Sequence, residues 1–115
     1  MQQSRLQWHS QESLVSTRSA IEKLGRNVEE LHCDVSSSEQ INKAFSGVDA
    51  LGVDAVVNNA GTISRGPAID TSLEDWQRIL DINLSSVFQI SQLCARSMLK
   101  KGSGRIINIA SLLSF

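Results

Sequence analysis

The stretch Val53–Ile63, VDAVVNNAGTI, predicts a strand that ends in a turn, and the rest of the chain can be organised around it. Its Ala55-Val56-Val57 segment is a short apolar run of the kind found in strands that are buried on both faces. The run passes directly into Asn58-Asn59-Ala60-Gly61, two amides followed by two small residues. At the carboxyl end of a parallel strand, small residues let backbone approach a ligand, and amides supply uncharged donors and acceptors. The stretch therefore predicts a ligand-binding turn or, since Asn and Gly are common turn residues, a turn without further role.

The composition is that of one globular domain at most. The 115 residues are 41% hydrophobic and 20% charged, and the formal net charge of −1 gives no attraction to nucleic acid or an anionic membrane. No apolar run approaches the roughly 18 residues of a membrane helix, and the polar start MQQSRLQWHSQ lacks the apolar core of a signal peptide. We therefore expect a cytoplasmic protein with neither nucleic acid nor membrane as a partner.

The two cysteines do not form the pattern of a metal site. Cys33 and Cys94 make no CxxC pair, and although His32 adjoins Cys33, no zinc-type spacing follows. We expect no bound metal, and two free thiols that pack as small apolar groups.

Hydrophobic periodicity and capping residues predict that strands and helices alternate along the chain. Strands are expected at about residues 5–9, 28–33, 54–58 and 105–110. Helices are expected from about Gln11 to Leu24 after an N-cap at Ser10, from the capping box Ser36-x-x-Glu39 to about Leu51, and from Leu73 to about Lys101. Such alternation predicts a parallel sheet with helices on its faces.

The third predicted helix, residues 73–101, is long for a globular protein, and we expect it to bend near Asn83. Asn83 falls in line with apolar residues of that helix, namely Trp76, Leu80, Val87, Ile90 and Cys94. A buried amide on such a face costs about 1–3 kcal/mol unless it is paired. We therefore expect Asn83 to have a hydrogen-bond partner.

Three signatures in this order resemble the short-chain dehydrogenase/reductase family. They are the strand with its NNAG turn, then Asp81-Ile82-Asn83-Leu84, then the run Arg105–Ser111, RIINIAS. The longer run 61–115 further resembles the branch that includes 2-deoxy-D-gluconate 3-dehydrogenase and gluconate 5-dehydrogenase. The resemblance implies an α/β fold, an incomplete Rossmann-like doubly wound parallel sheet with the second to fifth strands of the family fold. Residues 1–115 would form part of one NAD(P)-binding domain.

The resemblance also implies an activity and its site. The activity is hydride transfer between NAD or NADP and a secondary alcohol or ketone of a sugar acid or polyol. The implied catalytic residues are Ser111, which hydrogen-bonds the reacting oxygen, and Asn83, which binds backbone and a water of the proton relay. The implied cofactor-binding residues are Asp34, Val35, Asn58, Asn59, Ala60 and Gly61.

Each of these residues also fits a structural role. Ser111 fits a turn serine, Asn83 an exposed asparagine at a helix bend, and Asp34 a solvated residue at a strand end. Arg65 follows the NNAG turn on the side where the family admits substrate, so it fits either a bidentate contact with a sugar-acid carboxylate or a solvated loop arginine. The segment Trp8–Glu12 offers neither a clear ribose acid nor a clear phosphate-binding arginine, so NAD and NADP are not distinguished.

The sequence departs from the family pattern at both ends. The seven glycines do not reproduce the spaced triplet of the pyrophosphate turn, and the chain has no tyrosine for the family's Tyr-x-x-x-Lys pair. We therefore expect a truncated chain that is marginally stable, aggregation-prone and inactive alone. The alternative is a non-catalytic product that associates with an intact relative through helix 73–101, the helix through which homo-oligomers of the family also commonly form.

Overall fold

The structure, a computed structural model, describes residues 11–112. The chain separates into two compact units, Met1–His32 and Cys33–Phe115. The strand predicted at residues 5–9 and the predicted cap at Ser10 lie outside the described residues.

The first unit contains one helix, α1 (Gln11–Lys23), among its described residues. It lies where the sequence predicts a helix and ends at Gly25, whose φ of 72° is in the left-handed region. The strand predicted at residues 28–33 is wrong, because those residues have no regular secondary structure. A strand needs a neighbour for its N–H and C=O groups, and the described sheet consists of two other strands.

The second unit opens with two short helices, α2 (Ser38–Ala44) and α3 (Val48–Leu51), where the sequence predicts one. The N-cap is Ser37, whose Oγ accepts a hydrogen bond from the Gln40 N–H at 3.3 Å. The predicted cap, Ser36, instead donates its N–H and its hydroxyl to Asp34 Oδ1 at 2.9 and 2.7 Å. The helix begins later than predicted because Asp34 already engages Ser36.

Two parallel strands form the sheet, β1 (Ala55–Asn58) and β2 (Arg105–Asn108). In their register Ala55 lies opposite Arg105 and Asn58 opposite Asn108. The parallel pairing confirms the prediction for this part of the sheet, and β2 is shorter than the expected 105–110. The Ile109 N–H still donates to the Asn58 carbonyl at 3.1 Å, which extends the ladder one residue past β2.

The long helix runs as α4 (Leu73–Leu80), a π-helical turn (Asp81–Ser85) and α5 (Ser86–Lys101). Asn83 is the central residue of that turn, so the α-helical ladder is interrupted where the sequence predicts a bend. Ser72 caps α4 by accepting from the Asp75 N–H at 3.0 Å, and α5 ends at Gly102, with φ 83°. A short 3₁₀ turn, Ala68–Asp70, precedes the cap.

One face of β1 is packed and the other is open. Val56 packs against the buried cluster of Val48, Cys94 and Met98, which joins β1 to α3 and α5. Successive strand residues point to opposite faces, so Val57 points away from that cluster and is 55% exposed, as Ile107 is 46% exposed. Parallel sheets are normally covered on both faces. No helix of the described region has the length and apolarity needed to cross a membrane.

We predict that Gly104→Ala destabilises the second unit. A Cβ at Gly104 would lie 2.3 Å from Met98 Cγ and Sδ and 2.6 Å from Met98 Cβ, and the last of these atoms cannot move without the helix backbone. Overpacking of this kind typically costs about 1–3 kcal/mol. Urea unfolding followed by circular dichroism measures the loss. In the control Gly47→Ala, the new Cβ meets nothing within 4 Å; an equal loss in both variants would contradict the prediction.

Candidate functional site

The candidate site begins where β1 and β2 end, at a cluster of three polar side chains. Asn58 Nδ2 donates to Asn108 Oδ1 at 2.8 Å and to Ser91 Oγ, on α5, at 2.9 Å. Asn58 is 8% exposed, so both of its amide protons find partners where water has little access. The carboxyl end of β1 is therefore tied to β2 and to α5 by one side chain.

The turn that follows β1 contains small residues, so its backbone is accessible. Asn59 and Ala60 are exposed and Gly61 is half-buried. A Cβ at Gly61 would meet only Asn83 Oδ1, at an ordinary contact distance of 3.5 Å, and its φ is not in the left-handed region. Neither packing nor backbone conformation requires glycine here, so the small residue leaves this backbone open to a bound molecule.

Asn83 holds the segment just after the turn. Its Oδ1 accepts from the Thr62 N–H at 2.8 Å, and its Nδ2 donates to the Thr62 carbonyl at 2.7 Å. The expected hydrogen-bond partner is thus present, but Asn83 itself is exposed rather than buried on an apolar face. The π turn adds a residue to the helical ladder and so moves Asn83 out of line with buried residues such as Cys94.

Asp34 and Val35 lie in a second turn, before α2. Asp34 Oδ1 is engaged by Ser36, and no described residue hydrogen-bonds the other carboxylate oxygen. The Asp34 N–H donates to Gln40 Oε1 at 3.0 Å. This turn is exposed at Asp34 and half-buried at Val35, with one carboxylate oxygen available to a ligand.

The α2 helix is in turn attached to α5 through Gln89. Gln89 Nε2 donates to the Ser38 carbonyl at 2.9 Å and to Asn42 Oδ1 at 3.0 Å. One helix, α5, therefore carries side chains that hold β1, through Ser91, and the helix that adjoins the Asp34 turn, through Gln89. Sequence reasoning missed Ser91 and Gln89, because no local pattern marks a helix residue that reaches another element.

Ser111 lies three residues beyond Asn108 and is exposed, and it follows the same carboxyl end of the sheet as the turn after β1 does. Arg65 is exposed in the loop that follows that turn. The described contacts bring together Asn58, the turn and Asn83, and connect Asp34 through α2 and α5. Sequence reasoning also missed Gln40, although Ser37-x-x-Gln40 is itself a capping-box pattern that overlaps the one at Ser36.

The thiols contribute no reactive group at neutral pH. Burial raises the pKa of the Cys94 thiol, and burial together with the weaker effect of the Asp34 carboxylate raises the pKa of Cys33. Both therefore stay protonated and are poor nucleophiles. Within residues 11–112, no three or more His, Cys, Asp or Glu side chains are grouped so as to hold a metal ion.

Comparison with known proteins identifies the family. The family model of the short chain dehydrogenases matches residues 6–115. The chain belongs to the short chain dehydrogenase family. This membership confirms the resemblance read from the NNAG, Asp81–Leu84 and Arg105–Ser111 signatures.

Individual short chain dehydrogenases match over most of this chain. The chain is 44% identical over 104 residues to 2-dehydro-3-deoxy-D-gluconate 5-dehydrogenase of Bacillus subtilis (strain 168), covering 90% of this chain and 41% of that protein. It is 38% identical over 95 residues to the 3-oxoacyl-[acyl-carrier-protein] reductase FabG of Aquifex aeolicus (strain VF5), covering 81% and 38%. The chain thus spans about two-fifths of the length of these relatives.

A solved structure supports the same assignment. A gluconate 5-dehydrogenase from Burkholderia cenocepacia J2315, crystallised in complex with NADP and tartrate, superimposes with a TM-score of 0.74 at 32% identity, covering 89% of this chain and 41% of that one. The likeness confirms the predicted fold class, a partial Rossmann-like α/β fold.

We predict that Asn83→Ala lowers stability and loosens the segment after the turn. The change removes both hydrogen bonds to Thr62, which is 6% exposed and would keep a backbone N–H and C=O without partners. A loss of about 1–3 kcal/mol is expected from urea unfolding, with faster amide hydrogen exchange at Thr62. The control Gln92→Ala changes an exposed residue of α5. Unaltered exchange at Thr62 in Asn83→Ala would show that Asn83 does not hold this segment.

Proposed function

We propose that this chain belongs to an oxidoreductase that transfers hydride between NAD or NADP and a secondary alcohol or ketone of a sugar acid or polyol. The observation that carries the proposal is the common edge of β1 and β2. There the open turn 58–61 and Ser111 follow neighbouring parallel strands that the Asn58–Asn108 hydrogen bond holds together. Ligands of open α/β sheets bind at the carboxyl ends of such strands.

The described residues fit the adenosine half of a dinucleotide. Asp34 offers a carboxylate oxygen and Val35 a backbone N–H, while Asn59, Ala60 and Gly61 offer accessible backbone. These groups match a nucleoside, because its hydroxyl and amino groups can donate to carboxylate and carbonyl oxygens and its ring nitrogens can accept from backbone N–H groups. When bound, the nicotinamide ring of NAD or NADP accepts or gives the hydride.

Two side chains of the chain act on the substrate side. Ser111 donates a hydrogen bond to the reacting oxygen and so favours the charge that develops there. Asn83 keeps one lone pair on Oδ1 and one proton on Nδ2 beyond its bonds to Thr62, enough to order a water. Neither group ionises near neutral pH, so proton transfer needs another acid. Because the chain has no tyrosine, we propose that the 115 residues alone do not turn over.

The relatives support a polar, oxygen-rich substrate. One relative is named for 2-dehydro-3-deoxy-D-gluconate and a solved structure for gluconate. Arg65, exposed in the loop after the turn, is suited to a bidentate contact with the carboxylate of such an acid. We place the protein in the cytoplasm and assign residues 1–115 to part of one NAD(P)-binding domain.

A specific surface supports the second candidate, association through helix 73–101 with a copy of the chain or an intact relative. Five large apolar residues of that helix are exposed by more than half, namely Leu73, Trp76, Leu84, Phe88 and Leu99. Exposed apolar surface is typical of protein–protein contacts when its residues lie together in one patch. Co-sedimentation of the chain with an active relative distinguishes this candidate, because a purely catalytic role requires no such complex.

We predict that activity requires both flanking sequence and Ser111. The 115-residue chain and a protein extended in frame at both ends are assayed with NAD⁺, NADP⁺ and a panel of aldonic and 2-deoxy-aldonic acids. Only the extended protein should turn over, and Ser111→Ala should lower its kcat by about 10²-fold or more, as loss of one such donor does in other enzymes.

Ser103→Ala is the matched control, because Ser103 is an exposed serine at the opposite end of β2. It should leave kcat unchanged. Saturable turnover by the 115-residue chain, or equal kcat values for Ser111→Ala and the unmodified protein, would contradict these roles.

A further inference from the structure

We infer that Ser91 is a positioning residue that aligns the cofactor turn with Ser111, an inference that rests on the proposed function. Ser91 hydrogen-bonds the side chain of Asn58, the first residue of that turn. Its Oγ accepts one of the two Nδ2 protons of Asn58, and Asn108 Oδ1 accepts the other. The three side chains come from α5, β1 and β2, so Ser91 connects the helix layer to both strands at their carboxyl ends.

The hydroxyl of Ser91 matters because the Asn58 amide is nearly enclosed. An amide nitrogen has two protons, and a buried proton without an acceptor loses its hydrogen bond to water without a replacement. Without the Ser91 oxygen, the Asn58 side chain satisfies both protons only by turning towards solvent. That rotation breaks the 2.8 Å bond to Asn108 Oδ1 as well.

The two asparagines lead directly to the segments that the proposed function uses. Asn58 is the first residue of the turn 58–61, and its carbonyl accepts the Ile109 N–H at 3.1 Å. Ile109 precedes Ser111 by two residues. A shift of Asn58 therefore moves the turn 58–61 and Ser111 relative to each other. The apolar cluster of Val48, Cys94 and Met98 remains packed.

The helix α5 also positions the Asp34 turn, the segment that is proposed to contact the adenosine half of the cofactor. Gln89 and Ser91 stand two residues apart on α5, and Gln89 holds α2 through the Ser38 carbonyl and Asn42 Oδ1. Gln40 of α2 accepts the Asp34 N–H. Both proposed cofactor-binding segments, the Asp34 turn and the turn 58–61, are thus connected to α5. Ser91 holds the turn 58–61, which adjoins the proposed substrate site.

The test compares Ser91→Ala with Ser97→Ala in the protein extended in frame at both ends. Ser97 is the control, a buried serine of α5 whose Oγ donates to the Val48 carbonyl at 3.5 Å. Thermal unfolding, the Kd for NADPH and NADH, and kcat are measured for each. Ser91→Ala should weaken dinucleotide binding and lower kcat, each about three- to ten-fold, the effect of one lost hydrogen bond.

Ser97→Ala should shift the melting temperature as much as Ser91→Ala does but leave Kd and kcat unchanged. Ser91→Thr, which keeps the hydroxyl, should restore both values. Equal Kd and kcat in the two alanine variants would overturn the inference, because a merely structural serine alters stability alone.

A spectroscopic readout separates this inference from the proposed function. The Asn58 side-chain NH₂ protons are followed by hydrogen exchange in ¹⁵N-labelled protein, with and without Ser91→Ala. We expect Ser91→Ala to accelerate their exchange, whereas Ser97→Ala does not. Unchanged exchange would overturn the role of Ser91 even in a protein that binds dinucleotide. Failure of the unmodified protein to bind any dinucleotide would instead overturn the proposed function.

Discussion

The hydrogen bond between Asn58 and Asn108 is the constraint on which the site depends. Two parallel strands can pair through their backbones in several registers, but opposed asparagines at their carboxyl ends favour the register in which their side chains meet. That register brings the small-residue turn after β1 and the segment leading to Ser111 to one edge of the sheet. The local cost of burying an amide is offset because both of its protons are accepted.

The helix α5 packs against the sheet and holds the turns at this edge in place. It packs on β1 and α3 through the cluster of Val48, Cys94 and Met98, and the π turn before it carries Asn83 to the backbone of Thr62. The interruption of the helix is therefore part of the site, since a regular α-helix through Asp81–Ser85 would place Asn83 differently. Apolar packing fixes the helix, and polar side chains at its amino-terminal half fix the turns around it.

The sequence predicts those elements whose position depends on interactions between residues that are near each other in the chain. The apolar run before Asn58, the Ser72 cap and Gly102 gave the positions of β1, α4 and the end of α5, and three ordered signatures gave the family. The strand expected at residues 28–33 failed because a strand depends on a partner elsewhere in the chain, which its own residues do not reveal. The hydrogen bonds of Ser91 and Gln89 could not be predicted for the same reason, since their partners lie 33 and 47–51 residues away in the chain. Ser36 is not the N-cap of α2, because its N–H and hydroxyl donate to Asp34, two residues earlier in the chain.

Whether this edge of the sheet binds the cofactor is tested by a chemical-shift titration of the ¹⁵N-labelled 115-residue chain with NADPH, which reports weak binding residue by residue. We expect the shifts to concentrate at Asp34–Val35, Asn58–Gly61 and Ser111, all beyond the carboxyl ends of the strands or in the turn before α2. Shifts concentrated instead around Gly102 and Gly104, at the opposite edge of the sheet, would contradict this expectation.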